Sequence, residues 1–133
     1  MGAFQRFEEI VAWQEARKLT KAIYKVTALP SFSRDFSLID QMRRSSVSIM
    51  SNIAEGFERS GRREFIQFLA LSKGSSGELR SHLYIALDLG YLTKGDFQEL
   101  YNRTAYLAGR IGALMKYLRD SNIRGAKFQS LQR

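Results

Sequence analysis

The stretch QMRRSSVSIMSNIAEGFERSGRREF, residues 41–65, decides the architecture of this chain. Its apolar side chains recur at intervals of four or seven positions, which place them on one buried face of an α-helix. These side chains are Met42, Ile49, Ile53 and Phe57. Serine, asparagine and glycine, which are weaker helix formers, stand between them. Small and polar residues in such a helix indicate that a second helix approaches it closely.

A narrow polar stripe runs beside the apolar face of this predicted helix, because successive residues are about 100° apart around the axis. Its members are Gln41, Ser45, Ser48, Asn52, Glu55 and Arg59. The next helix offers a matching strip of small residues, Gly74, Ser75 and Gly77. We therefore predict a structural polar seam that contains Arg43, Arg44, Asn52, Glu55 and Glu78. One of the two arginines is expected to pair with one of the two glutamates.

The same helical periodicity continues on both sides of this stretch and predicts four helices. They run from about Glu8 to Ala28, from Arg34 to Glu58, from Gly61 to Gly90, and from Thr93 to Leu118. Pro30 ends the first, Gly90 suits a left-handed C-terminal cap of the third, and Thr93 suits the N-cap of the fourth. Short connections favour antiparallel neighbours, so we predict an all-α, up-down-up-down four-helix bundle in residues 1–121. Residues 122–133 form a predicted basic C-terminal tail.

The third helix is apolar almost all round its axis. Its apolar side chains include Phe65, Ile66, Phe68, Leu69, Leu71, Leu83, Tyr84, Ile85, Leu87 and Leu89. A helix of this kind must be covered on every side, and a four-helix monomer covers only one face. We therefore predict a homo-oligomer.

Charge and composition point to a polyanionic partner and away from a membrane. The 133 residues carry a formal net charge of +8, contain no cysteine, and include no apolar run long enough to span a bilayer. The start of the chain also lacks the pattern of a signal peptide, so we expect a soluble, cytoplasmic protein. A basic balance favours RNA or DNA. The candidate contacts are Arg103, Arg110, Lys116, Arg119, Arg124 and Lys127, with Arg62 and Arg63 as a second cluster.

The residues that enzymes and metal sites use are sparse. His82 is the only histidine, so neither a His-rich metal site nor a Ser-His-Asp arrangement is indicated. The segment SKGSSG, residues 72–77, lacks the order of a phosphate-binding loop, and close helix packing explains its glycines better. We predict that the protein is not an enzyme and needs no cofactor.

The sequence resembles the bacterial four-helix bundle family of 23S rRNA intervening-sequence proteins, which is also described as ribosomal-protein-like. The matching elements include QMRR at 41–44, SI at 48–49, NIAEG at 52–56, GS at 74–75, EL at 78–79 and LGYL at 89–92. The resemblance implies an antiparallel bundle that assembles as a barrel-like homopentamer. A more distant likeness, at the level of fold, links the chain to nucleic-acid-binding accessory proteins of diversity-generating retroelements.

Two functions therefore remain open from the sequence. The first is a non-catalytic oligomeric scaffold that binds RNA or another nucleic acid through basic surface residues, with little sequence specificity and a steep dependence on salt. The alternative is a protein–protein interaction module that binds no nucleic acid.

Overall fold

The computed structural model describes residues 4–121. Within this range four α-helices form an antiparallel up-down-up-down bundle, which confirms the predicted all-α fold. The helices are α1 (Val11–Thr27), α2 (Phe36–Glu58), α3 (Arg62–Asp88) and α4 (Lys94–Asp120), and a 3-10 helix (Phe7–Glu9) precedes α1. The predicted tail, 122–133, lies outside the described residues.

The first helix begins three residues later than predicted. Ile10 adopts an extended backbone, with φ −76° and ψ 120°, and separates the 3-10 helix from α1. Both Ile10 and Ala12 are buried. In one continuous helix these two side chains would point about 160° apart, so the break lets both of them reach the core.

Local capping explains where the later helices begin and end. The Thr93 side chain accepts a hydrogen bond from the Asp96 backbone N–H at 3.0 Å, which confirms the predicted N-cap of α4. Gly90 has a positive φ of 77°. Its N–H donates to Leu87 O, and the Tyr91 N–H donates to Ala86 O, which together close the end of α3 in a Schellman motif.

The two loops at one end of the bundle are tied to each other. Ser31 Oγ donates to the Tyr91 carbonyl at 2.8 Å, and Tyr91 Oη donates to Asp35 Oδ2 at 3.0 Å. The hydrogen bond to Asp35 raises the pKa of Tyr91 above its ordinary value. Phe32 is fully buried against Tyr91, with ring centroids 5.2 Å apart. The loop after α1 is therefore anchored to the loop after α3.

The four helices share one apolar core, but they do not pack equally. Helices α2 and α3 share the most extensive interface, and α1 and α4 the least extensive one. Buried aliphatic residues such as Ile49, Leu69 and Leu83 fill the centre, and each contributes about 1.5–3 kcal/mol. In the part of the chain that the structure describes, no helix has the length and apolarity to cross a membrane.

Candidate nucleic-acid interface

The seam between α2 and α3 is built from small side chains, as predicted. Ser48 Oγ lies 2.9 Å from Ser75 Oγ, and the fully buried Ser72 donates to the Ile49 carbonyl at 2.7 Å. Ser45 Oγ lies 3.4 Å from Nδ1 of His82, which is also buried. Because each hydroxyl has a partner, the two helices approach closely without leaving buried polar groups unsatisfied.

The glycine that this close approach requires is Gly56. A Cβ atom at Gly56 would lie 2.6 Å from Phe68 Cβ and 3.1 Å from Phe65 Cδ1. At Gly74 a Cβ would meet nothing within 4 Å, and at Gly77 it would touch only the Arg80 side chain at 3.7 Å. The prediction that helix packing explains the glycines of residues 72–77 is therefore wrong, since those glycines face away from α2.

The predicted pairing of Arg43 or Arg44 with Glu55 or Glu78 is also wrong. Arg43 Nε donates to Thr27 Oγ1 of α1 at 2.9 Å, and Arg44 Nε donates to Asp40 Oδ2 at 2.9 Å. The geometry of α2 explains both partners. Arg43 is about 160° from Ser45 around the axis, so it faces α1, and Arg44 points to solvent one turn after Asp40.

The remaining seam residues either bond within their own helix or lie exposed. Asn52 donates to the Ser48 carbonyl at 2.9 Å, and Glu55 pairs with Arg59 at 2.9 Å. Glu78 is exposed and forms no ion pair among the described residues. The seam is thus held by serines, and its charged members lie at the surface.

The structure separates the predicted cations of α4 into two groups. Arg103 and Arg110 are about 20° apart around the helix and face the α1 side, and each lines a groove with residues of α1. Lys116 and Arg119 lie toward the α3 side, where Lys116 pairs with Asp120 at 3.1 Å. One continuous patch on α4 is therefore not formed.

The other predicted basic residues lie elsewhere. Arg62 and Arg63 begin α3, at the end of the bundle where α4 finishes. Arg124 and Lys127 lie outside the described residues. Of the six candidate contacts within the described residues, only Arg103 and Arg110 line grooves with residues of α1.

The sequence reasoning missed a basic stripe on α1. Arg17, Lys18, Lys21 and Lys25 all lie on its exposed face. Their spacing confines them to about 100° of the helix circumference, so the signal was present in the sequence. Lys18 lies 3.7 Å from Glu15, whereas Lys21 and Lys25 form no ion pair among residues 4–121.

We call this stripe, together with Arg103 and Arg110, the α1 basic face. Carboxylates occur at its borders, where Glu8 lines one groove and Asp96 and Glu99 line another. The outer face of α2 differs, because its cations Arg44 and Arg59 are each paired with a carboxylate. The α1 basic face therefore carries more unpaired positive charge than the outer face of α2.

Aromatic residues on the opposite side of the bundle contact each other. The Tyr84 ring lies 5.0 Å from Phe97 and 5.7 Å from Tyr101, measured between centroids. The neighbouring Tyr101 raises the pKa of Tyr84, mainly through the repulsion between two phenolates. This cluster joins α3 to α4 and is remote from the α1 basic face.

Comparison with protein families gives a match along most of the bundle. The family described as 23S rRNA-intervening sequence protein matches residues 8–113. The chain belongs to this family. The match includes every residue of the α1 basic face and ends before Lys116. The likeness to retroelement accessory proteins stays a prediction.

A solved structure supports the family fold. The chain is similar to a protein of unknown function from the S23 ribosomal protein family of Bacteroides thetaiotaomicron, with a TM-score of 0.73 and 20% identity. The similarity covers 80% of this chain and 96% of that one. No curated protein gives a significant match. In residues 4–121 of this intervening-sequence family member, no group of three or more histidine, cysteine or acidic side chains is placed to hold a metal ion.

Proposed function

We propose that the protein is a non-catalytic, oligomeric four-helix bundle that binds RNA, or another nucleic acid, through its α1 basic face. The observation that carries this proposal is the run of four exposed cations on α1, flanked along its length by Arg103 and Arg110. The α1 basic face takes the place of the eight candidate contacts predicted from the sequence, because its residues lie on one surface. An RNA partner implies a cytoplasmic location.

Binding would be electrostatic. Lysine and arginine side chains neutralise phosphates and release counterions, and this gain depends steeply on salt and little on base sequence. The exposed amines of Lys21 and Lys25 are available for such contacts because no carboxylate of the described chain pairs with them.

The test compares two charge-matched triple variants. Lys18→Gln/Lys21→Gln/Lys25→Gln removes three charges from the α1 basic face, and Lys73→Gln/Lys94→Gln/Lys116→Gln removes three from other surfaces. If each α1 lysine contacts one phosphate, the slope of log affinity against log salt becomes shallower by about 2 for a single strand and about 3 for a duplex. The control triple keeps most of the wild-type slope. An equal loss in both variants would contradict the proposed location.

Exposed apolar residues on α3 support self-association. Leu71, Ile85 and Leu89 lie within about 40° of each other around the helix, and their exposed fractions are 57%, 42% and 55%. We propose that a second copy of the chain covers this strip, in a homopentamer as the family resemblance implies. We expect the wild type to sediment as an assembly. The double variant Leu71→Gln/Ile85→Gln should sediment as smaller species. Phe36→Gln/Tyr106→Gln is the matched control, and a wild-type monomer at high concentration would refute assembly.

The same α3 strip favours the alternative function, a protein–protein interaction module. In that case a partner protein, and not another copy, covers Leu71 and Leu89. Partner capture that survives high salt and disappears in Leu71→Gln/Ile85→Gln, together with no affinity for nucleic acid, would support the alternative over the proposal.

A further inference from the structure

Two pairs of an aromatic ring and an arginine lie on the outer side of α1. The Arg17 guanidinium lies 5.8 Å from the Trp13 ring centroid, and the Arg43 guanidinium lies 4.6 Å from the Tyr24 centroid. Trp13 and Tyr24 are eleven residues apart, which places them about 16 Å apart along the helix and about 20° apart around it. Both pairs therefore belong to one side of the helix, with Lys21 between them.

Each pair is held in place by other contacts. The Trp13 ring packs edge-on against Phe7, with centroids 5.1 Å apart. At the other pair, Arg43 donates to both Thr27 Oγ1 and the Tyr24 carbonyl, so its guanidinium is fixed beside the Tyr24 ring. Side chains that are already ordered lose less conformational entropy when a ligand binds.

A groove accompanies the first pair. It has a volume of about 520 Å³ and is lined by Glu8, Trp13, Gln14, Arg17, Lys18 and Lys21. This volume lies in the range of small-ligand sites. An aromatic ring and a guanidinium offer a stacking surface for a base, and the two lysines offer charge to the adjoining phosphates. Gln14 Nε2 already donates to the Glu8 carbonyl at 2.7 Å, which leaves the Gln14 Oε1 to accept a hydrogen bond from the base edge.

We propose that the α1 basic face binds an unpaired RNA strand, with bases stacked at the Trp13–Arg17 and Tyr24–Arg43 pairs and phosphates along Lys18, Lys21 and Lys25. The inference rests on the proposed function and specifies its ligand. Proteins that bind single strands combine such a positive track with aromatic stacking platforms. In a duplex the base faces are stacked inside the helix, so an aromatic ring on a protein surface cannot reach them.

The sequence supplies a reporter for this site. Trp13 is the only tryptophan of the chain, so intrinsic fluorescence reports on this one groove. The probes are a single-stranded RNA of 12 nucleotides, the same sequence as a duplex, and linear polyphosphate, which has no bases. We expect the single strand to quench or shift the emission in step with binding, and polyphosphate to bind with little spectral change.

Tyr24→Leu tests the second pair, since it removes the ring and keeps an apolar side chain at a half-exposed position. Its affinity for the single strand should fall by roughly 5- to 150-fold, whereas its affinity for polyphosphate should stay unchanged. Tyr84→Leu, a substitution in the α3–α4 aromatic cluster, is the matched control and should leave both affinities unchanged.

Three outcomes separate this inference from the proposed function. A spectral response and a loss in Tyr24→Leu that are specific to the single strand support both. Equal binding of all three probes with no response of Trp13 overturns the single-strand inference and leaves electrostatic binding standing. No binding of any probe at low salt overturns both.

Discussion

The α2–α3 seam and the α1–α4 boundary differ in how closely their helices approach. At the seam, Gly56 leaves no room for even one added carbon, because Phe68 Cβ occupies that space. At the boundary, a groove of about 290 Å³ opens beside Ala22, Val26 and Arg103. The seam stabilises the fold by close packing, whereas the boundary leaves charged side chains accessible. The difference shows that the candidate binding face lies where the packing is least tight.

The largest effect is expected from Gly56→Ala. The new methyl group must push α3 away from α2, and overpacking of this kind costs about 1–3 kcal/mol. The 2.6 Å approach to Phe68 Cβ favours the upper end of this range, and the better helix propensity of alanine recovers about 0.5–1 kcal/mol. Urea unfolding should therefore show a loss of about 2 kcal/mol in the free energy of unfolding. Gly74→Ala is the control in open space and should raise the free energy by about 0.5–1 kcal/mol. A loss of similar size in both variants would remove the distinction between these glycines.

A smaller effect is expected at the two adjacent arginines, Arg43 and Arg44. Arg43→Ala loses a hydrogen bond to Thr27 and a contact with the Tyr24 ring, both of which hold α1 to α2. We expect a loss of about 1–2 kcal/mol in thermal or urea unfolding. Arg44→Ala removes only an exposed pair with Asp40 and should change stability by less than about 0.5 kcal/mol. Equal losses would mean that α1 does not depend on Arg43.

Ala22→Leu tests the α1–α4 boundary, which is the less closely packed of the two interfaces. Its larger side chain would fill part of the groove between α1 and α4, where it buries apolar surface without displacing backbone. We expect the free energy of unfolding to rise by about 0.5 kcal/mol. A loss comparable to that of Gly56→Ala would show that α1 and α4 pack as tightly as α2 and α3.

The smallest effect is expected at the hydrogen bond between Tyr91 and Asp35, which joins the loop after α3 to the loop after α1. The neutral phenol of Tyr91 donates to Asp35, and this bond raises the pKa of Tyr91. The folded state therefore keeps this proton to higher pH than the unfolded state, and the stability from the bond is full below about pH 10 and declines above it. Wild type should exceed Tyr91→Phe in stability at neutral pH, and the gap should narrow as the pH rises past 10. A gap that stays constant to pH 11 would mean that the phenol proton does not contribute.

Local features of the helices were predictable from the sequence. The cap at Thr93 and the left-handed residue at Gly90 depend on neighbours within four positions, so short-range patterns were sufficient. The break at Ile10 was not predictable from local patterns, because it is caused by burial of the Ile10 side chain in a core made by other helices. The left-handed residue after α2 was not predictable in this way either. Ser60 adopts the left-handed conformation, with φ 67°, whereas the neighbouring Gly61 has φ −105°.

The candidate site was predicted only in part. Arg103 and Arg110 were named from the excess of charge in the second half of the chain, and the structure places both beside α1. The α1 stripe went unnoticed because it is balanced in the sequence by nearby acidic residues such as Glu8 and Glu9. Charge counted along the chain does not distinguish residues on one surface from residues on opposite surfaces.

By itself, the sequence determined the helical class, the four-helix topology and the use of small residues between α2 and α3. These follow from periodicity, short connections and side-chain volume, all of which act over a few residues. Only the tertiary structure decided which glycine is needed for packing, which partner Arg43 takes, and which cations share a face. Each of these depends on the rotation of one helix against another, because a shift of one residue turns a side chain by about 100°.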